Sequence, residues 1–507
     1  MRHAVPRPAL AVSLISLTGL VATSAPSGAH SGERLRAGGS AAVQSNAAIA
    51  LHRAERALRA PGRGRNLTLV LSRLHAVLPR LSGRQAQRAR EVLARPTDRR
   101  KDPELNGYRT REARPLCTAH FCIHYVRRTR DAPDPADADG DGYPDFVELV
   151  SRLAERSYTA QVGRLGWRRP RPDRRRGGSN ATDIYLSQIG QGYFGYAASD
   201  PGQAGPRRRM RSRYTYMVID NDFSRGEFRA APRGSAAVTI AHEFNHVLQF
   251  TYDILQDPWM DESTATWMEN EVFPRVNDYL GYVRGWARES AVPLTSSGFP
   301  KLYGSAVWNQ WLAARYGPRL IRRAWEGAIH SRPPGFSAGS YDRAIRRATK
   351  SDFSRSFARF AASTAEWRTN RRFAEGHRFP PVRRAGRLSA QPIQRRLDHS
   401  GYLLMRVPIP RGRPRALRLG VYVGRRTRAA IALVGLNRKG SRRRTVTKLR
   451  FLPRGGGRAV RIGRPARFRR ITAVLVNSDI RQSGPGAYGW LYDHNSVLFK
   501  ARVSVLR

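Results

Sequence analysis

Residues 241–270, Ala-His-Glu-Phe-Asn-His-Val-Leu-Gln-Phe-Thr-Tyr-Asp-Ile-Leu-Gln-Asp-Pro-Trp-Met-Asp-Glu-Ser-Thr-Ala-Thr-Trp-Met-Glu-Asn, constrain this chain more than any other stretch. They open with His242-Glu243-Phe244-Asn245-His246, an H-E-x-x-H pattern. Residues four apart share one face of a helix, so His242 and His246 can aim two imidazoles at a single metal ion. Glu243 lies beside them, where it can take a proton from water held at that ion. Ser235 to Ala241 lead in without a breaker and follow Arg-Gly, which predicts a helix that is largely buried. The pattern alone recurs by chance, and two unrelated histidines on one helix are the plain alternative. The downstream residues shift the balance. After a loop containing Asp257-Pro258, Trp259 to Glu269 reads as a second helix, with Glu262 near its start and Glu269 seven residues later on the same face. A carboxylate from that helix completes a His, His, Glu set with a fourth position left for water. That is the arrangement of a catalytic zinc site, whereas structural sites are closed.

At the second helix a resemblance becomes visible. Trp259-Met-Asp-Glu-Ser-Thr-Ala-Thr-Trp-Met-Glu269 resembles the W-L-N-E-G-x-A-x-Y/W-x-E segment of gluzincin metallopeptidases, the aminopeptidase type especially. The resemblance implies that His242, His246 and Glu262 hold zinc and that Glu243 is the general base. It also implies that Tyr303, in Lys301-Leu-Tyr-Gly-Ser-Ala, donates to the oxyanion of a tetrahedral intermediate; a tyrosine packed at a helix start is the alternative. Three departures stand out. Fifteen residues separate His246 from Glu262, slightly fewer than in the best-known gluzincins. The turn after Glu262 carries Ala265 and Thr266, with no Asp to orient a histidine, so Glu269 or a residue elsewhere has to do so. No G-x-M-E-N stretch precedes the zinc helix, which leaves an endopeptidase as the better expectation than an aminopeptidase. The metzincin pattern fails, because Gln249 and Tyr252 stand where Gly and His are needed.

A second motif lies upstream. Asp137-Ala-Asp-Gly-Asp-Gly-Tyr-Pro-Asp-Phe-Val-Glu148 fits the D-x-D-x-D-G-x5-E calcium loop at every fixed position. In that reading Asp137, Asp139 and Asp141 supply side-chain oxygens and Tyr143 a backbone carbonyl. Asp145 acts directly or through water, and Glu148 closes the shell. An acidic turn that caps the helix expected from Phe146 is the alternative. A strand, Phe121 to Val126, precedes the loop, so a strand-loop-helix site with a structural role is expected. His124 within that strand reads as a packing residue.

The two cysteines, Cys117 and Cys122, allow one disulfide in an oxidising compartment; two free thiols or half a metal site are the alternatives. The first 29 residues read as a secretory signal peptide, with Arg2, His3 and Arg7 before the apolar stretch Ala9 to Ala22 and with Ser-Gly-Ala before residue 30. No other run is long and apolar enough to span a bilayer. The chain is therefore expected to be exported and extracellular. The formal net charge of +53 raises phosphate or carboxylate partners. The basic residues are scattered end to end, with no stripe and no interleaved aromatic motif. That argues against specific nucleic-acid binding and leaves weak electrostatic adhesion to anionic cell-wall polymers.

The remaining periodicities complete the expectation of an α+β protein. Residues 30–105 carry leucines at helical spacing up to Pro96 and read as a helical pro-region or an ordinary N-terminal packing segment. Residues 106–380 form the zincin-like domain that the resemblance implies, with the calcium loop inside it. Within it, Asp183 to Gln188 and Tyr214 to Asp220 read as strands with a Gly/Tyr-rich turn at 190–195 between them. Residues 381–507 alternate short apolar runs with Gly/Pro/Arg turns and read as an antiparallel β-sandwich. Taken as a whole, the motifs resemble a family of secreted bacterial zinc metalloproteases. That implies a secreted, zinc-dependent endopeptidase acting on a protein or peptide. A secreted, calcium-stabilised wall- or surface-binding protein with a vestigial or structural zinc site is the alternative.

Overall fold

The computed structural model describes residues 32–59, 67–98, 107–189, 193–203, 212–226, 228, 231–328, 337–369, 373, 375–437, 445–481 and 495–507. The segment read as a signal peptide lies outside the described residues. Contacts divide the chain into Met1–Asn46 and Ala47–Arg507. Of the first unit, residues 32–46 are described and are helical. The second unit is described below.

Helices α1 (Gly32–Arg59), α2 (Leu67–Val77) and α3 (Gly83–Val92) come first, then strands β1 (Leu116–Cys117) and β2 (Phe121–His124). Helix α4 (Asp145–Tyr158) runs on into a π-turn at Thr159–Arg164 and leads to β3 (Thr182–Ser187), β4 (Gly195–Ser199) and β5 (Thr215–Asp220). These strands form one sheet in the order β1-β2-β3-β5-β4. The pairs β2–β3 and β3–β5 are parallel, while β1 and β4 run antiparallel to their neighbours at the two edges.

Both faces of the sheet are covered, which is why β3 and β5 are buried at every residue. Ile184, Leu186, Ala197, Met217 and Ile219 point into the main core. Tyr185, Tyr196, Ala198, Tyr216 and Val218, one residue out of phase, pack in a second core with Leu51, Leu71, Leu74 and Leu93 of the N-terminal helices. The leucine spacing in residues 66–93 therefore marks a helical layer on the sheet, broken at Pro79 into α2 and α3 by a short 3₁₀ turn. Arg95, just past α3, is fully buried and pairs with Asp173, Asp183 and Asp200. The polar stretch between α3 and β1 is partly built into the fold. Tyr108 is buried, with its hydroxyl directed at the carbonyls of His124 and Leu186.

The main core is closed by helices. α5 (Pro232–Gln249) and α6 (Pro258–Val272) each begin with proline, whose fixed φ and missing N–H suit a first turn. From Ser235 to Gln249 every residue of α5 except His242 is buried, as expected of a helix packed all round. Then come α7 (Leu280–Trp286), α8 (Lys301–Gly304), α9 (Ala306–Tyr316), α10 (Arg319–Ala328), α11 (Ser337–Ala348) and α12 (Phe353–Thr364), which carry the buried Trp286, Trp308, Trp311 and Trp325.

Among the described residues nine strands follow: β6 (Arg384–Arg387), β7 (Ile393–Leu397), β8 (Gly401–Val407), β9 (Ala416–Val423), β10 (Ala429–Asn437), β11 (Thr445–Leu452), β12 (Gly456–Gly463), β13 (Phe468–Asn477) and β14 (Val497–Leu506). They form two sheets, β11-β10-β13-β8-β6 and β12-β9-β14-β7. Leu403, Met405, Ile431 and Leu475 of one sheet share a core with Leu417, Leu419, Phe499 and Val503 of the other. The opposite face of the first sheet, through Tyr402, Leu404, Ala432 and Val474, joins the main helical core. The fold is thus mixed α and β, with several sheets. Among the described residues no helix is long and apolar enough to cross a membrane.

Candidate metal centre

α5 and α6 bring the predicted ligands together. His242 Nε2 lies 3.1 Å from Glu262 Oε2, and His246 Nε2 lies 3.7 Å from the same oxygen. One ligand atom from each of the three residues lies within 4.8 Å of the others. An ion about 2.1 Å from each donor in a tetrahedral shell would set donor–donor edges near 3.4 Å, so the set fits a small tetrahedral cation. One buried atom argues for the fit directly. Among the described residues His246 Nε2 has no hydrogen-bond partner, and buried polar groups are seldom left unpaired.

The far sides of both rings are held. His242 Nδ1 lies 2.7 Å from Glu269 Oε1, and His246 Nδ1 lies 2.7 Å from Gln249 Oε1. Gln249 Nε2 donates to Asn245 Oδ1 at 2.8 Å and to the Asp261 carbonyl at 2.9 Å, which turns its own oxygen toward the ring. Asn245 in turn donates to Gln161 of the π-turn, and Gln161 donates to the Ala241 carbonyl. With each Nδ1 held by an acceptor, both Nε2 atoms face the site. Glu269 thus fills the orienting role expected of it. Gln249 did not emerge from the sequence, although its position three residues after His246 on one helix face was the available signal.

Burial disfavours a charged Glu262, but the His246 and His242 rings outweigh it and bring its carboxyl to about 2. Burial also opposes charge on His242, and the bonds from Glu262 and Glu269 outweigh it and raise that imidazole well above its ordinary value. Glu243 is pushed up by burial, with the two histidines pulling the other way. A carboxylate held low, the His242 imidazole held high and a neighbouring acid pushed up are a set suited to proton transfer beside a cation.

A cleft opens on this site, lined by Tyr193, Phe194, Gly195, His242, Glu243 and Tyr303 among others. Tyr303, on α8, faces the same cleft, with its ring 6.2 Å from that of His242. Gly195 opens β4, a strand that the sequence reading passed over as part of a turn. An added Cβ there would lie 2.9 Å from Thr239 Cγ2, 3.0 Å from the Val218 carbonyl and 3.2 Å from Glu243 Cγ. Only glycine lets the edge strand come this close to the metal helix.

Residues 225–389 match a family of unknown function (DUF6055), a span that contains both metal helices and Tyr303. No curated protein matches the chain.

The upstream acidic loop is assembled in part. Asp137, Asp139 and Asp141 are exposed and bring one carboxylate oxygen each within 4.8 Å of the others. Gly140 and Gly142 sit at φ +72° and +89°, which lets Asp137 accept from both of their N–H groups. Asp145 and Glu148 stand outside this group. Asp145 accepts from the Ala138 N–H, and Glu148 lies 3.3 Å from Arg152, one turn along α4. Tyr143 donates its N–H to Asp141. Cys117 and Cys122 are joined in a disulfide across the β1–β2 pair. His124 is buried between Glu112 and Asp183 and is part of the polar cluster around Arg95.

Proposed function

We propose that this chain is a secreted, zinc-dependent endopeptidase of the gluzincin type, with a zincin-like catalytic region. The observation that carries the reading is the orphaned Nε2 of His246, buried beside His242 Nε2 and Glu262 and next to a cleft that Glu243 lines. Two imidazoles and one carboxylate suit zinc, and a three-residue donor set leaves a coordination position for catalysis.

When bound, zinc would lower the pKa of water and polarise a carbonyl at this site. The protein's own groups supply the rest. Glu262 and the two histidines fix the position of the charge. Glu269 and Gln249 keep both rings turned toward it. Glu243, raised by burial, accepts the proton of the attacking water and hands it to the leaving amine. Tyr303 is placed on the cleft wall to donate to the oxyanion. The three-aspartate loop is read as a structural calcium site that braces the start of α4.

Metal analysis of the purified chain, with casein hydrolysis by wild type and Glu243→Gln, tests this reading. One zinc per chain, with hydrolysis that Glu243→Gln abolishes, is the expected result. Stoichiometric zinc with no hydrolysis by wild type would leave a structural or vestigial site and defeat the peptidase reading.

A further inference from the structure

We infer that Thr68 is a positioning residue for Glu243, delivered by an N-terminal layer that is a permanent part of the fold. The inference rests on the hydrolase reading above. Thr68, the second residue of α2, is buried, and its hydroxyl makes two bonds of 3.0 Å. It accepts from the N–H of Ala197 on β4 and donates to Glu243 Oε2. Among the described residues β4 is an edge strand paired with β5, and the carbonyl of Phe194, just before β4, accepts from the Asp220 N–H of β5. In an antiparallel pair the inward-facing residues alternate, so the Ala197 N–H points away from β5. Thr68 satisfies that outward donor. The amide can only donate and an ionised carboxylate can only accept, so the hydroxyl takes the Ala197 N–H on a lone pair and gives its proton to Glu243.

The consequence is geometric. The terminal torsion of a glutamate is broad and soft, so a carboxylate in a cleft does not hold one orientation unaided. The bond from Thr68 ties down Oε2 and leaves the second oxygen to act as base. Small misplacements of a reacting group cost large factors in rate.

The N-terminal layer is bound in too firmly to be a removable cover. Leu71 and Leu74 of α2 share a core with Tyr185, Tyr196 and Tyr216. Arg95 pairs with the buried carboxylates of Asp173, Asp183 and Asp200. Stripping the segment away would bare one face of the sheet and leave those carboxylates without that partner. Of the two roles open to this segment, packing layer or detachable pro-region, the contacts favour the first. A detachable plug predicts the opposite sign, because loosening its grip on Glu243 would raise the rate.

The test compares full-length, zinc-loaded wild type with Thr68→Val, which keeps the shape and loses the hydroxyl, and Thr68→Ser, which keeps the hydroxyl. One readout is kcat and KM on a fluorogenic peptide. The other is affinity for a peptide hydroxamate, which on binding hands its proton to the carboxylate beside the metal. Thr68→Val is expected to lower kcat about 10-fold with KM within about twofold, and to weaken the hydroxamate about 10-fold. Thr68→Ser is expected to restore both. If Thr68→Val loses its zinc, Thr68→Ala carries the same comparison. A rise in kcat, a loss confined to KM, or a loss that serine does not repair overturns the assignment. If wild type holds zinc and cleaves nothing, the hydrolase reading falls, and the hydroxamate arm alone decides Thr68; unchanged affinity in the valine variant then overturns it.

Discussion

Glu269 sits seven residues after Glu262 on α6 and reaches back to His242 Nδ1 at 2.7 Å, while Glu262 faces the Nε2 of the same ring at 3.1 Å. One helix therefore grips both sides of one imidazole. The carboxylate at Nδ1 fixes the tautomer and makes Nε2 a better donor to a cation. Glu269→Ala should weaken zinc binding by about 10- to 100-fold, the usual loss when such a partner is removed. Glu269→Gln, which keeps an acceptor without the charge, should fall between. Competition with a chromophoric chelator measures both. Equal affinity in all three proteins would mean that Glu269 does not tune the site.

The acidic loop predicts a separate metal dependence. Asp137, Asp139 and Asp141 hold like charges close together on an exposed turn at the N-terminal end of α4. A divalent cation relieves that repulsion and stabilises the folded state by mass action. Calcium should raise the melting temperature and a calcium-selective chelator should lower it. Asp139→Ala should remove the sensitivity. The acidic loop and the His242, His246, Glu262 group share no residue, so the shift should persist in a His246→Ala background.

Much of this site was legible in the sequence because its chemistry is local. The spacings His242 to His246 and Glu262 to Glu269 each lie within one helix, where periodicity decides which residues share a face. Choosing Glu262 over Glu269 as the candidate third ligand needed the resemblance, since the spacing places both on one face of α6. Thr68 and β4 were not legible. The bond from Thr68 to Glu243 spans 175 residues, and a short strand with glycine at its head reads as a turn. The alternating tyrosines 185, 196 and 216 carry a signal that sequence reasoning left unused. Polar-tipped aromatics out of phase with an apolar run imply that the second face of a sheet is covered.

His75 on α2 gives the N-terminal layer a pH dependence. Burial, assisted by the Arg213 charge, lowers its imidazole from 6.5 to about 4 against the bond to the Asp200 carbonyl. The unfolded chain takes up this proton as pH falls through 6.5, whereas the folded chain refuses it until about 4. Between those values the unfolded state binds more protons, so stability is full above the window and falls as pH falls through it. The loss amounts to roughly 3 kcal/mol at most. Urea midpoints at several pH values should drop on acidification, and the drop should be smaller in His75→Gln. Parallel curves for the two proteins would assign the acid sensitivity elsewhere.

Gly195 is where the edge strand meets the metal helix, and it predicts a coupled loss of stability and activity. A methyl at this position meets a side chain at 2.9 Å and a backbone carbonyl at 3.0 Å, and it meets Glu243 Cγ at 3.2 Å. Thr239 Cγ2 can be removed by mutation, but the Val218 carbonyl belongs to the β4–β5 pair and cannot yield without loosening it. Gly195→Ala should cost ~1–3 kcal/mol by overpacking. It should also lower hydrolysis more than about 10-fold, because the strand that moves carries Ala197, the amide that orients Thr68 toward Glu243. Adding Thr239→Ser removes only the first clash, so it should recover part of the stability and little of the rate. Full recovery of both by the double variant would show that the backbone contact exerts no strain and that the close approach of β4 does not hold Glu243 in place.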